Sequence, residues 1–229
     1  MAELWQALKD AIHLIISRDP QVIDITWRSL RISAASTILA ALICIPLGGL
    51  ISFRTFRGKR FLINIIQTLY SVPTVCVGLL VYLMVSHVGP LGFLHLVFTP
   101  TAMIIAQVLL IIPVMLGLTI TALSGVDKTI KDTTLSLGAT EFQAIWAIIK
   151  EARFAIVGAV LLGFGRAISE VGAAMIVGGN IFQYTRVLTT AISLLSTQGE
   201  FALAMALGII LIAVALVVNI AVNMVQQRR

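Results

Sequence analysis

Five long apolar runs constrain this chain more than any other feature. They cover residues 27–53, 61–86, 101–123, 154–177 and 201–225. A helix needs roughly 20 apolar residues to cross the hydrocarbon core of a bilayer, and each run is at least that long. Helices satisfy their own backbone hydrogen bonds in lipid, so the runs predict an all-α membrane protein with about five transmembrane helices, in a domain of residues 27–229. The chain is 59% hydrophobic and 11% charged, which excludes a soluble globular protein.

Residues 1–26 differ from these runs and are predicted to form a separate lead-in. Between residues 3 and 17 the apolar side chains fall on one helical face, and the segment is too short to cross a bilayer. The pattern predicts an N-terminal helix that lies in the membrane interface, with a short sixth span as the alternative. Pro20 is predicted to end this helix, and Asp24 or Thr26 to cap the next one.

The basic residues predict how the helices are oriented, because Lys and Arg concentrate on the cytoplasmic side of a membrane. With five spans, five of them share a side with the N-terminus: Lys9, Arg18, Arg28, Arg31 and Arg186. Ten lie on the other side: Arg54, Arg57, Lys59, Arg60, Lys128, Lys131, Lys150, Arg153, Arg228 and Arg229. We therefore expect a multi-pass protein of the cell (inner) membrane, in contact with its lipid, with the N-terminus outside and the C-terminus in the cytoplasm. This asymmetry accounts for the net charge of +6, so no nucleic acid is expected as a partner.

The longest polar interruption, residues 125–153, lies between two spans on the predicted cytoplasmic side. Its pattern predicts a helix over 132–137, a sharp turn at Gly138, and a second helix over 141–149 whose apolar side chains share a face. Such an elbow suits insertion into a groove of another protein. The alternative is a surface loop folded against the subunit itself. The residues predicted to make the contact are Asp132, Leu135, Leu137, Gly138, Ala139, Glu141 and Phe142.

This segment resembles the EAA loop of the permease subunits of ABC importers, whose pattern is E-A-A-x3-G-x9-I-x-L-P. Gly138 and Ile148 match the pattern in register. Asp132 stands in place of the Glu, threonines replace both alanines, and Glu151 replaces the final Pro. The resemblance extends from about residue 27 to the end of the chain and implies the type I permease fold. Loss of the proline predicts that the second helix runs smoothly into the fourth span.

The same resemblance implies the partners. In this family two permease subunits form the pathway, so a second copy of this chain is expected. A cytoplasmic ATPase dimer, which holds ATP and Mg²⁺, grips the EAA loops, and an external binding protein delivers the substrate. The chain has no G-x4-G-K-[ST] sequence for binding ATP. We therefore predict no enzymatic activity and no cofactor in this subunit itself.

Arg166 and Glu170 lie in the fourth apolar run, where charges are costly. At this spacing they can neutralise each other, or they can line a pathway together with Ser169. The run RAISEVGA, followed by GN and then TR, resembles the molybdate/tungstate branch of these permeases and looks closest to tungstate permeases. It implies an external oxyanion-binding protein and transport of tungstate, with molybdate or sulfate as alternatives. The candidate pathway residues are Arg166, Ser169, Glu170, Gly172, Asn180 and Thr185.

Other functions fit the sequence less well. A self-contained secondary transporter or channel would be expected to carry inverted repeats or broken helices. A membrane-embedded enzyme would need a catalytic set at membrane depth, and Arg166 with Glu170 is a poor one. No metal site is predicted, because His13, His87 and His95 are scattered along the sequence.

Overall fold

The computed structural model describes residues 2–227, a range that consists of helices and the turns between them. Its α-helices are α1 (Ala2–Ile16), α2 (Pro20–Phe53), α3 (Lys59–Thr68), α4 (Thr74–Val85), α5 (Pro100–Ser124), α6 (Lys128–Ser136), α7 (Glu141–Glu151), α8 (Arg153–Ile168), α9 (Gly172–Gly178), α10 (Leu188–Gln198) and α11 (Phe201–Gln226). The predicted all-α class is confirmed.

Three of these helices, α2, α5 and α11, are each long and apolar enough to cross a membrane. Two further spans are bent pairs: α4 follows α3 at an angle of 95°, and α9 follows α8 at 59°. Counting each pair as one span gives up to five, in agreement with the sequence prediction. The predicted limits of the five spans lie close to those of the helices, but two of the five spans are broken rather than continuous.

Helix α2 begins at Pro20, seven residues before the predicted start of the first span. Asp19 is its N-cap, and the Asp19 carboxylate accepts hydrogen bonds from the N–H groups of Gln21 and Val22 at 2.9 and 3.2 Å. Proline fits the first helical position because its missing N–H would have no partner there. The prediction that Pro20 ends a helix, with Asp24 or Thr26 as the next cap, was therefore wrong.

The break between α3 and α4 follows from Pro73. Residues Leu69–Ser71 tighten into a 3-10 turn, and Val72 is extended, the conformation that a residue before proline prefers. Pro73 then caps α4. Pro46 and Pro113, by contrast, lie inside the continuous helices α2 and α5.

Helix α1 packs into one of the bundle's cores. Ala11 is fully buried there with Val22 and Ile25 of α2, and with residues of α10 and α11 such as Leu188 and Leu207. Helix α10 was not predicted, because its 11 residues mix Thr and Ser with apolar side chains and are too few to span a bilayer.

Small residues let the central helices approach closely. A Cβ atom on Gly48 of α2 would lie 2.7 Å from the side chain of Thr119 on α5. On α5 itself, a Cβ on Gly117 would lie 1.6 Å from the hydroxyl of Tyr70, and one on Gly163 of α8 would lie 2.5 Å from Met115. Side-chain volume at these points would separate the helices, so α2, α5 and α8 depend on glycine for their contact.

Candidate functional site

The polar segment forms two short helices, as predicted, although the first is longer than expected. Helix α6 begins at Lys128, after the N-cap Asp127. The Asp127 carboxylate accepts hydrogen bonds from the backbone N–H and the hydroxyl of Thr129, at 2.9 and 2.7 Å. Because these bonds stabilise the ionised form, they hold the pKa of Asp127 below its usual value.

The turn between the two helices depends on Gly138. Its φ of 83° lies in the left-handed region, where glycine alone avoids a steric penalty. Thr140 then caps α7 by a reciprocal pair: its hydroxyl accepts from the N–H of Gln143, and the Gln143 side chain accepts from the N–H of Thr140. The predicted elbow at Gly138 is confirmed.

Three apolar side chains on this elbow are largely exposed. Leu137 is 82% exposed, Phe142 77% and Trp146 64%. On the opposite side of α7, Ala144 and Ile148 are buried, and Ile148 packs with Leu123 of α5. Helix α7 thus packs against the subunit by one side and leaves the other largely exposed. Of the remaining predicted contact residues, Asp132, Leu135 and Glu141 are exposed and Ala139 is half-buried.

An apolar groove continues from the elbow onto α2. Its volume is about 560 Å³, and Ile38, Leu42 and Leu50 of α2 face Ile145 and Trp146 of α7 across it. At the other end of α7, the single residue Ala152 separates Glu151 from the start of α8. The elbow helix and the fourth span are thus separate helices joined by one residue, and the smoothness of this passage stays a prediction.

The fourth span breaks between α8 and α9, in the middle of the candidate pathway residues. Helix α8 ends at Ile168, and the Ser169 hydroxyl donates back to the carbonyl of Gly165 at 2.7 Å. Glu170 is 6% exposed, and its carboxylate accepts a hydrogen bond from the N–H of Ala173 at 3.0 Å. Its backbone carbonyl accepts from the Thr189 hydroxyl at 2.6 Å. Glu170 therefore caps α9 and anchors α10.

Arg166 does not pair with Glu170, so the self-neutralised pair considered from the sequence is wrong. The four-residue spacing brings two side chains together only in a continuous helix, and the break removes that geometry. Across residues 2–227, leaving out the few side chains that are not described, the ion pair is Arg28 with Asp24. Arg166 is half-buried in the last turn of α8, where the helix dipole favours a cation.

Sequence reasoning missed Gln107, which stabilises the break from α5. Gln107 is 3% exposed, and its side-chain amide donates to the carbonyl of Ala167 at 3.2 Å. Its side-chain oxygen accepts from the hydroxyl of Ser36 at 2.8 Å. The available signal was the one amide side chain in the third apolar run, since an uncharged polar group buried in lipid must find internal partners.

Of the other candidate pathway residues, Gly172 borders the break at the start of α9, whereas Asn180 and Thr185 lie beyond α9. Gly172 packs against α4, and a Cβ there would lie 2.8 Å from Val75. Asn180 and Thr185 belong to the loop of residues 179–187, where Asn180 donates to the carbonyl of Thr190 at 3.2 Å. Thr185 is fully buried, and its hydroxyl donates to Gly178 and accepts from the N–H of Ile181. The structure thus separates the six residues into a break cluster (Arg166, Ser169, Glu170) and residues that hold the neighbouring segments.

The histidines are less scattered than the sequence indicated. His87 and His95 lie with their ring centroids 5.8 Å apart, in the turn between α4 and α5. Within the described residues no three His, Cys, Asp or Glu side chains come together as metal ligands. Cys44 is buried and Cys76 exposed, each with a free thiol.

Residues 28–229 match the family described as "Binding-protein-dependent transport system inner membrane component". The chain belongs to this family. It is thus a permease subunit of the ABC importer class and a multi-pass membrane protein. The match includes the elbow, the break cluster and the loop of residues 179–187, so all three are parts of a transport subunit.

Two relatives of this permease are similar over nearly its full length. The "Tungstate uptake system permease protein TupB" of Peptoclostridium acidaminophilum is 42% identical over 227 residues, which is 99% of this chain and 100% of that protein. The protein of the same description from Campylobacter jejuni is 38% identical over 216 residues, 94% of this chain and 90% of that one.

The fold of the permease is also found in a solved transporter. A chain in the crystal structure of the bacterial alginate ABC transporter, in complex with a pentasaccharide-bound periplasmic protein, superposes with a TM-score of 0.72. It has 20% sequence identity and aligns with 100% of this chain and 87% of that one. The shared architecture is that of the type I importer permeases, as predicted from the EAA-like pattern.

Proposed function

We propose that this permease is the membrane subunit of an ATP-driven tungstate importer. The observation that carries the proposal is its similarity to two tungstate uptake permeases, with identity spread over the whole chain rather than confined to one motif. Molybdate is the nearest alternative, because both anions are tetrahedral dianions of similar size, and sulfate is a more distant one. We further propose that two copies of the chain form the pathway and that an external oxyanion-binding protein loads it.

Energy for transport comes from a cytoplasmic ATPase dimer in this proposal, with ATP and Mg²⁺ held on those subunits. The elbow around Gly138 is the docking element. Exposed Leu137 and Phe142 supply apolar side chains that fit a groove on the ATPase, while Asp132 and Glu141 supply charge at its rim. Apolar side chains exposed in water on a helix that is anchored by its other side support a protein contact.

Movement of the elbow would reach the membrane through α7 and α8, which are joined at Ala152. Helix α8 ends at the break, so a displacement of α8 would change the break itself. Closure of the ATPase dimer would in this way alternate access between the two sides of the membrane.

The break cluster is the proposed narrow part of the pathway. Arg166 carries a charge that no described side chain neutralises, and Ser169 is exposed beside it. One Arg166 from each copy would offset the charge of a passing dianion in a low-dielectric setting. The Glu170 carboxylate accepts a hydrogen bond from the N–H of Ala173 in α9, and this bond weakens the repulsion between Glu170 and a passing anion. Gly172, Asn180 and Thr185 are proposed to shape the walls of the pathway.

The orientation that we propose places the N-terminus outside and the elbow in the cytoplasm. The basic segment of residues 54–60, which follows α2, lies at the same end of the bundle as the elbow, because a Cβ on Gly49 of α2 would lie 3.6 Å from Ile145 and 3.7 Å from Ile149. Both features belong on the cytoplasmic side by the positive-inside rule.

The test is elemental analysis of three strains: wild type, a strain that lacks this chain, and the same strain with the chain restored. All are grown with trace amounts of tungstate and molybdate. We expect cell tungsten to fall on deletion and to return on restoration, with molybdenum unchanged. Equal loss of both metals would replace tungstate by the wider oxyanion class. If neither metal changed in cells without a second importer, the proposed substrate would be wrong.

A secondary transporter is the other class that one observation favours, because the structure contains the broken helices that such proteins carry. Family membership outweighs this feature. The two classes differ in their energy source: an ABC importer loses uptake when the ATPase subunit is inactivated, whereas a secondary transporter retains it.

A further inference from the structure

Arg186 lies in a loop that has little freedom to move. Three consecutive N–H groups, those of Tyr184, Thr185 and Arg186, converge on the carbonyl of Ile181 at 3.2, 3.0 and 3.0 Å. The buried Thr185 hydroxyl closes the same turn. The backbone that carries Arg186 is thus fixed before any ligand arrives.

The guanidinium of Arg186 has no counterion among the side chains that the structure describes. Its Nη2 makes one long hydrogen bond, 3.5 Å, to the carbonyl of Asn180, and the group stacks over the Phe182 ring with 5.2 Å to the centroid. Its buried Nε finds no hydrogen-bond partner among the described residues. Burial and the neighbouring Arg28 lower the pKa of Arg186, yet an arginine stays charged at neutral pH. A fixed, partly desolvated cation of this kind is stabilised by an anion.

Arg28 stabilises the loop, and its guanidinium is already occupied by partners within the subunit. Its Nη2 pairs with the Asp24 carboxylate at 2.5 Å, and its Nη1 donates to the carbonyl of Arg186 at 3.0 Å. The charge of Arg28 is therefore offset by Asp24. One positive charge is left over in this cluster, and it resides on Arg186.

This cluster lies at the end of the bundle opposite the elbow. Arg28 precedes Gly49 by 21 residues on the same helix, and Gly49 faces α7, since a Cβ there would lie 3.6 Å from Ile145. At 1.5 Å per residue the separation is about 30 Å, the thickness of the hydrocarbon core. In the proposed orientation Arg186 is at the external surface.

The same cluster is close to the break. Leu188, two residues after Arg186, donates its N–H to the Ser29 hydroxyl at 2.7 Å. Thr189, three residues after Arg186, donates to the carbonyl of Glu170. Three residues span at most about 11 Å between Cα atoms, so the backbone of Arg186 lies within that distance of Thr189.

We propose that Arg186, positioned by Arg28, is the external contact that receives the tetrahedral oxyanion before it enters the break. The inference rests on the proposed function. Arginine has only donors and matches an oxyanion by two parallel hydrogen bonds. Arg186 is half-buried and stacks on Phe182, while its loop neighbours Ile181, Phe182 and Tyr184 are exposed. A half-buried guanidinium is reached more easily by a small ion than by a carboxylate on a folded domain.

The experiment uses the complete transporter, with its ATPase and loaded binding protein, in phosphatidylcholine vesicles. Tungstate uptake is measured against the concentration of the binding protein for wild type, Arg186→Gln and Arg186→Lys. Arg31→Gln is the matched control, since Arg31 is an exposed arginine of α2 that stacks on Trp27. We expect Arg186→Gln to lower the maximal uptake about tenfold, as for loss of a charge-assisted contact, with the half-saturating concentration unchanged. Arg186→Lys should restore part of the loss, and Arg31→Gln should behave as wild type.

A second readout separates binding from folding. Tungsten retained by the purified permease–ATPase complex, without binding protein, should fall in Arg186→Gln while the thermal stability of the complex is kept. Wild-type uptake and retention in Arg186→Gln would overturn the inference. A raised half-saturating concentration with normal maximal uptake would overturn it in favour of a carboxylate on the binding protein. A defect that appears only in vesicles with anionic lipid would overturn it in favour of a phosphate headgroup. Failure of the proposed function is distinct, because the wild-type transporter would then move no tungstate.

Discussion

The side-chain amide of Gln107 donates a hydrogen bond to the backbone carbonyl of Ala167, joining α5 to the last turn of α8. The last carbonyls of a helix have no partner within it, and in a bilayer no water replaces the missing donor. Gln107 therefore helps α8 to end inside the membrane domain, next to the break cluster.

Replacing Gln107 with Leu should destabilise the permease. The change leaves the Ala167 carbonyl and the Ser36 hydroxyl without this partner, at a cost of about 1–3 kcal/mol. Thermal unfolding of the purified complex measures the effect. Gln67→Leu is the control, since Gln67 is an exposed amide of α3. Equal stability of the two variants would mean that Gln107 contributes nothing to the break.

Leu137→Asp should uncouple transport without unfolding the subunit. Leu137 is 82% exposed, so the subunit buries little of it, but burying an aspartate in the ATPase groove that we propose would cost free energy. We expect normal amounts of the variant in the membrane with loss of ATPase recovery on affinity purification and loss of uptake. Leu137→Met keeps an apolar side chain of similar size and should retain both. Co-purification of the ATPase with the aspartate variant would contradict the docking role.

Two substitutions of Gly138 should reduce uptake to different degrees. Proline requires a φ near −65°, which is incompatible with the observed 83°, so Gly138→Pro should destroy the elbow and abolish uptake. Alanine meets no atom within 4 Å at this position and suffers only the left-handed backbone penalty, about 1–2 kcal/mol. Uptake in Gly138→Ala should therefore be reduced but measurable. If the proline variant matched the alanine variant, the turn geometry would not matter for coupling.

Gly117 and Tyr70 form a pair that a double-mutant cycle can test. An alanine Cβ at Gly117 would collide with the Tyr70 hydroxyl, so Gly117→Ala should destabilise the complex by about 1–3 kcal/mol through overpacking. Tyr70→Phe removes the oxygen and should recover part of this loss, as measured by thermal unfolding. Gly208→Ala is the control, because its Cβ meets nothing within 4 Å. Strict additivity of the two changes would show that the residues are not coupled.

Arg166 and Glu170 should respond differently to neutralisation. Arg166→Gln is expected to reduce the maximal rate of uptake with little change in stability, since the structure records no ion pair for this side chain within residues 2–227. Glu170→Gln preserves the oxygen that accepts from Ala173 and should retain most of the stability. If the Arg166→Gln defect were rescued by adding Glu170→Gln, the two side chains would be a charge pair after all.

The sequence was most informative where a single physical requirement decides the structure. Uninterrupted apolar runs predicted α5 and α11 to within a few residues, because length and hydropathy alone determine a span. Gly138 predicted the elbow because few residues adopt a positive φ. Both signals are local, and both were confirmed.

Sequence reasoning failed where two readings of one residue differ only by tertiary contacts. Pro20 can follow one helix or open the next, and the Asp19 cap decides. The spacing of Arg166 and Glu170 indicates a pair only if the helix is continuous. The helix instead ends where Gln107, about 60 residues away along the chain, donates to the carbonyl of Ala167. The contact of Arg28 with the carbonyl of Arg186 joins residues 158 apart and leaves no local pattern.

The one-residue joint at Ala152 makes α7 and α8 two arms of unequal length. With 11 and 16 residues, the arms measure about 16 and 24 Å at 1.5 Å per residue. If α7 and α8 rotate together about Ala152, a displacement at Phe142 is magnified about one and a half times at Ile168, by the same rise per residue. A small movement of the proposed ATPase dimer would thus cause a larger movement at the break. Lengthening α7 by one turn would make the two arms nearly equal and remove most of this amplification.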